Sequence, residues 1–90
     1  MALRQIYQVV EVGTPFNYEI KTFYSPINFA LTPGVGGGML VRYRYTNQSE
    51  FINWPLGEVN TYTEDEITSP IYELEITATI SDGLIEIVHA

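Results

Sequence analysis

A chain of 90 residues with eleven acids against four bases and no cysteine has the length of one small domain and must be stable without a disulfide or a thiolate metal site. Its net charge of −7 repels phosphate backbones, which argues against nucleic acid as a partner. Its apolar runs span only a few residues where a membrane crossing needs about 20.

The residues from Met1 to Tyr7 lack the apolar segment and small-residue cleavage pattern of a signal peptide, so synthesis in the cytoplasm is expected. Few alanines and lysines beside many Thr, Ile, Val and Tyr favour strands over helices, and period-two alternation recurs where helical periodicity does not. The first predicted strand lies near Gln5 to Val12. A second, Phe16 to Tyr24, puts Phe16, Tyr18 and Ile20 on one face and Asn17, Glu19 and Lys21 on the other. After a third near Asn28 to Leu31 comes Pro33-Gly34-Val35-Gly36-Gly37-Gly38. No Lys-Ser or Lys-Thr follows it, so it reads as a flexible hairpin loop and not a phosphate cradle, with glycines that let backbone approach a neighbouring subunit.

Met39 to Thr46 gathers Met39, Val41, Tyr43 and Tyr45 opposite Leu40, Arg42 and Arg44. Strands near Glu50 to Trp54 and Asn60 to Thr63 follow. Glu64-Asp65-Glu66 then reads as a solvated acidic loop, because the spacing is not that of a calcium loop. Tyr72 to Ile80 places Tyr72, Leu74, Ile76, Ala78 and Ile80 inward, with Glu73, Glu75, Thr77 and Thr79 opposite. Ser81-Asp82-Gly83 predicts a tight hairpin with positive φ at glycine, folding the last strand, Leu84 to His89, antiparallel onto the one before. Pro15, Pro26, Pro33, Pro55 and Pro70 all fall between runs. The predicted fold is all-β: a single small antiparallel β-sandwich over residues 1–90, jelly-roll or Ig-like, of about seven to eight strands. At this mass a folded surface of about 5,300 Å² is expected, which encloses only a modest core. Association into a homo-oligomer is therefore expected to contribute to stability.

The inventory for catalysis is thin. His89 is the only histidine, so neither a Ser-His-Asp triad nor a histidine metal cluster has material. Glu73 and Glu75 form a carboxylate pair on an outward strand face, where glutamates are ordinary. Arg42 and Arg44 are expected to balance them across the sheet. No catalytic, cofactor-binding or metal-ligating residue is assigned and no cofactor is implied. Binding has better support, because tyrosine and tryptophan favour interfaces and sugar-stacking platforms. Tyr43, Tyr45 and Tyr72 fall on inferred core faces. Tyr7, Tyr24, Trp54 and Tyr62 lie near strand ends or loops and, with Gly36 and Gly37, are the interface candidates. Trp54-Pro55 fits a contact surface and a plug at one end of the sandwich equally well.

Four segments resemble a pattern found in small structural proteins of tailed bacteriophages. They are Val41-Arg42-Tyr43-Arg44-Tyr45-Thr46, Trp54-Pro55-Leu56-Gly57, Ser69 through Ala78, and Gly83 with Ile85-Glu86-Ile87-Val88. The match covers about residues 39 to 90 and departs from the pattern at Glu75, where such proteins often carry a basic residue. The resemblance implies a non-enzymatic virion component, made in the host cytoplasm: a capsid decoration or cement protein, a head-fibre base, or a neck or tail accessory. Its partner would be the major capsid or tail protein, with no membrane or nucleic acid involved. The alternative is a carbohydrate-binding β-sandwich module that stacks sugars on Trp54 and nearby tyrosines.

Overall fold

The computed structural model describes residues 4–20, 27–68 and 70–89. Alternation sets eight strands: β1 (Arg4–Val10), β2 (Phe16–Glu19), β3 (Ile27–Thr32), β4 (Met39–Arg44), β5 (Ile52–Asn53), β6 (Thr63–Ile67), β7 (Glu73–Ala78) and β8 (Gly83–His89). They form two antiparallel four-stranded sheets, ordered β1-β8-β3-β6 and β2-β7-β4-β5, here called the first and second sheet. Tyr24 and the rest of the predicted run from Lys21 lie outside the described residues.

The pairing is nested. Partner residue numbers add to 93 in β1:β8, 92 in β2:β7, 94 in β3:β6 and 95 in β4:β5. The chain is thus one long antiparallel ribbon doubled back near Asn47. That residue adopts φ +70°, and Gln48 N donates to the Tyr45 carbonyl at 3.1 Å across the tip. Asparagine tolerates the left-handed conformation better than most residues. Rolling the ribbon up adds the pairs β3:β8 and β4:β7. This order is that of a jelly roll, not an Ig-like sandwich.

The faces follow the sequence closely. Met39 and Val41 are buried while Leu40 and Arg42 are exposed, and Leu74, Ile76 and Ala78 alternate with Glu73, Glu75 and Thr77. The core interleaves Val10, Ile27, Phe29, Leu31, Ile85 and Ile87 of the first sheet with Met39, Val41, Leu74 and Ile76 of the second. The accessible surface is 5346 Å², the value ordinary for a folded chain of 10.2 kDa.

Several sequence expectations are corrected. β7 and β8 are not a hairpin, because they lie in different sheets. Gly83 has no positive φ; a Cβ there would come within 2.6 Å of Met39 Sδ, so glycine is required for close packing. The glycine-rich segment also crosses between sheets, from β3 to β4, and is tied down. Gly38 N donates to the Val59 carbonyl at 3.0 Å, and the Gly38 carbonyl accepts from Thr79 N at 2.9 Å. The strand expected at Asn60 to Thr63 begins only at Thr63, and the acidic loop is itself β6. Tyr72 and Ile80 leave the core face. Tyr72 lies under the Arg44 guanidinium, 4.7 Å from its ring centre, Ile71 is buried beside it, and Ile80 lies past the end of β7. Tyr45 likewise falls outside β4 and is exposed.

Candidate functional site

The outer faces of the two sheets differ in charge, although both carry glutamates. On the second sheet, register places Arg42 opposite Glu75 and Arg44 opposite Glu73. Arg42 Nε donates to Glu75 Oε1 at 2.8 Å, and Arg44 Nε to Glu73 Oε1 at 2.7 Å. Asn17 adds a hydrogen bond to Glu73 Oε2 at 2.9 Å. Both guanidinium groups also lie over the Phe51 ring. The cross-strand role expected for these arginines is therefore what the structure shows: they balance Glu75 and Glu73, leaving the exposed Glu19, opposite Glu73, as the one glutamate of these strands with no ion pair among the described residues.

The first sheet has no such balance. Its register aligns Tyr7, Glu86, Ala30 and Glu64 in one row across all four strands. The neighbouring row is Gln5, Val88, Asn28 and Glu66. Ala30 is too small to fill the space between its glutamate neighbours, and the face sinks there into a depression of about 640 Å³ lined by Asn28, Ala30, Glu64, Glu66, Glu86 and Val88. Tyr7 and Tyr62, 60% and 58% exposed, stand on either side of it. Among the described residues no ion pair reaches Glu64, Glu66 or Glu86.

Hydrogen bonds fix the geometry of this face. Gln5 Nε2 donates to Tyr7 Oη at 2.9 Å and to Glu86 Oε2 at 2.6 Å. The Tyr7 hydroxyl donates to Glu86, which holds the Glu86 carboxyl below its usual range and raises the Tyr7 phenol above 10.0. Tyr62 Oη donates to Glu64 Oε1 at 2.6 Å. That bond raises its phenol likewise, and the charge of Glu86 and the nearby Tyr7 raise it slightly further. Glu86 and Glu64 are thus oriented by two tyrosines and a glutamine.

Trp54 lies elsewhere, along the open side between β5 and β6. Its ring packs edge-on against Phe29 and against Tyr43, each at 5.3 Å between centroids. Its Nε1 donates to Asp65 Oδ2 at 2.8 Å. Asp65 is the inward residue of β6, so Glu64 and Glu66 point away from it and the three acids do not converge on one point. Among the described residues no group of carboxylates is placed to hold a metal ion. A second recess of about 220 Å³ opens beside Trp54, lined by Tyr43, Tyr45, Trp54, Pro55, Asp65, Glu66, Thr68 and Ile71.

Of the interface candidates, the fold brings Tyr7 and Tyr62 onto one face although 55 positions separate them in sequence. Gly36 and Gly37 sit at one end of the sandwich. A Cβ on Gly37 would fall within 2.6 Å of Asn60 Oδ1, and one on Gly36 within 3.0 Å of Ile80. Their close approaches are to this chain's own residues. Sequence reading missed Glu86, Ala30 and Gln5, whose roles arise from pairing partners distant along the chain. No family model, curated protein or solved structure matches the chain.

Proposed function

We propose that the protein is a non-catalytic docking domain that seats the outer face of the first sheet on a basic surface of a larger assembly. The observation that carries this reading is the depression over Ala30, flanked by two exposed tyrosines and walled by Glu64, Glu66 and Glu86 without a described counter-ion. Tyrosine offers area and a hydroxyl at low entropic cost, and its ring face attracts cations. The carboxylates would steer arginine and lysine side chains into the depression. The resemblance of residues 39 to 90 to tailed-phage structural proteins supplies the setting. The assembly is a virion, and the protein is a capsid decoration or cement protein, or another head- or tail-associated accessory. Its partner is the major capsid or tail protein.

The recess beside Trp54 favours a second reading. Tyr43, Tyr45 and Trp54 line a polar-walled hollow of the kind on which a sugar ring stacks. One set of variants separates the two. Under the docking reading the protein co-sediments with purified particles, and Glu64→Lys with Glu86→Lys abolishes this while the variant keeps the circular dichroism spectrum of the folded parent. Absence from particles, or co-sedimentation unaffected by charge reversal, overturns it. Retention on a glycan column that is lost in Tyr45→Ala and kept in the charge-reversed variant establishes the carbohydrate reading instead.

A further inference from the structure

The two sheets end in four edge strands, and three of them carry features that discourage pairing with another chain. β6 has three consecutive acids, β5 is two residues long, and β2 is four residues long and preceded by Pro15. β1 has none of these. It is seven residues long, Arg-Gln-Ile-Tyr-Gln-Val-Val, with one charge at its first position and no proline or glycine. One side is paired along its whole length with β8, and among the described residues no strand pairs with the other. Its side-chain amide Gln8 Nε2 reaches only to the adjacent Val9 carbonyl, at 2.9 Å.

We propose that β1 is the surface on which a second copy of this chain docks, antiparallel to itself about a two-fold axis perpendicular to the first sheet. The inference does not depend on the docking function proposed above. Residues directly opposed in an antiparallel pair lie on the same side of the sheet. With both sandwiches on the same side, Gln5, Tyr7 and Val9 can therefore meet only one another, as can the even-numbered positions of the strand. From Gln5 onward every such pair is uncharged.

The same geometry makes β1 the edge at which a chain of net charge −7 can best meet its copy. Joining two β6 strands would oppose Glu64, Asp65 and Glu66 to their own copies at about 5 Å. Joining two β1 strands puts the two β6 edges at opposite ends of one eight-stranded sheet, seven strand spacings or about 34 Å apart, well beyond the Debye length of about 8 Å. Tyr7 and Val9 are 60% and 55% exposed, and pairing would cover part of that apolar surface. The depression over Ala30 would be presented twice on one continuous face, so any docking through it would be bivalent.

The test uses the whole chain, whose lack of cysteine makes single-cysteine cross-linking unambiguous. Sedimentation equilibrium is expected to give twice the 10.2 kDa chain mass for the parent. The Val9→Lys variant, altered at an exposed position, is expected to give the chain mass with an unchanged circular dichroism spectrum. With the two seven-residue strands fully overlapped the axis passes through Tyr7, so mild oxidation is expected to cross-link Tyr7→Cys into dimers and to leave Tyr62→Cys, beside β6 at the opposite edge of the same sheet, monomeric. A monomeric parent overturns the proposal, as does a dimer that persists in Val9→Lys or one that cross-links through Tyr62→Cys as readily as through β1.

Discussion

The indole of Trp54 touches Phe29 from the first sheet and Tyr43 from the second, and its N–H is held by Asp65. A single side chain therefore closes the gap between two edge strands. Replacing it with alanine removes both ring contacts and leaves the half-buried Asp65 with one hydrogen bond fewer. Trp54→Ala is expected to lower unfolding free energy by about 3 kcal/mol, at the low end for aromatic truncation because the ring is partly exposed. Asp65→Asn, which keeps an acceptor, is expected to cost under about 1 kcal/mol. Urea midpoints of the two variants measure the difference. Glycine illustrates the converse at this scale. Gly83 looks in the sequence like a turn residue, yet its role is to make room for the buried Met39 side chain. A residue type constrains local geometry, but which atoms lie beside it depends on strands far away in the chain.

Among the elements, β6 was the hardest to read because its inward position is an aspartate. Thr63, Asp65 and Ile67 face in and Glu64 and Glu66 face out, so the alternation exists but is not one of hydrophobic against polar. Partnership with Trp54 makes the inward carboxylate tolerable. The outer face of the first sheet gives this element-level pairing a titration signature. Glu86 has a lowered pKa, so its contribution to stability is present above the ordinary carboxylate range and is lost as pH falls through the folded value. Tyr7 and Tyr62 have raised values, so their contribution is present below the ordinary phenol value and is lost as pH rises through the folded ones. Phenolate absorbance in the native protein is therefore expected to show these tyrosines ionising above 10.0, while in urea they revert to the ordinary value. Tyr7→Phe is expected to raise the Glu86 carboxyl toward its ordinary value, read by carboxyl-detected NMR.

The whole molecule is a single ribbon folded at Asn47 and then rolled, so its two ends meet: Arg4 pairs with His89. Apart from β4 to β5, every step between consecutive strands passes from one sheet to the other. Contacts are consequently long-range, and closing them orders most of the chain before much apolar surface is buried. Refolding in stopped-flow is expected to take milliseconds to seconds, in the range of other sandwiches of non-local pairing, and a microsecond phase accounting for the full signal would contradict the nested topology. β8 is central in the first sheet, between β1 and β3, although it is the last strand along the chain.

Composition and period-two alternation in the sequence alone determined an all-β sandwich, most of its strands, the inward set of β4 and β7, and the Arg–Glu pairing across them. These follow from local chemistry, because a strand's faces are fixed by neighbours two residues away. Only the tertiary structure decided that the order is a jelly roll, that β7 and β8 part company, and that Tyr7 and Tyr62 share a face with Glu86. Alternation says which side of a strand is buried and nothing about which strand lies beside it. In a nested ribbon the partner's position is set by the whole chain between them.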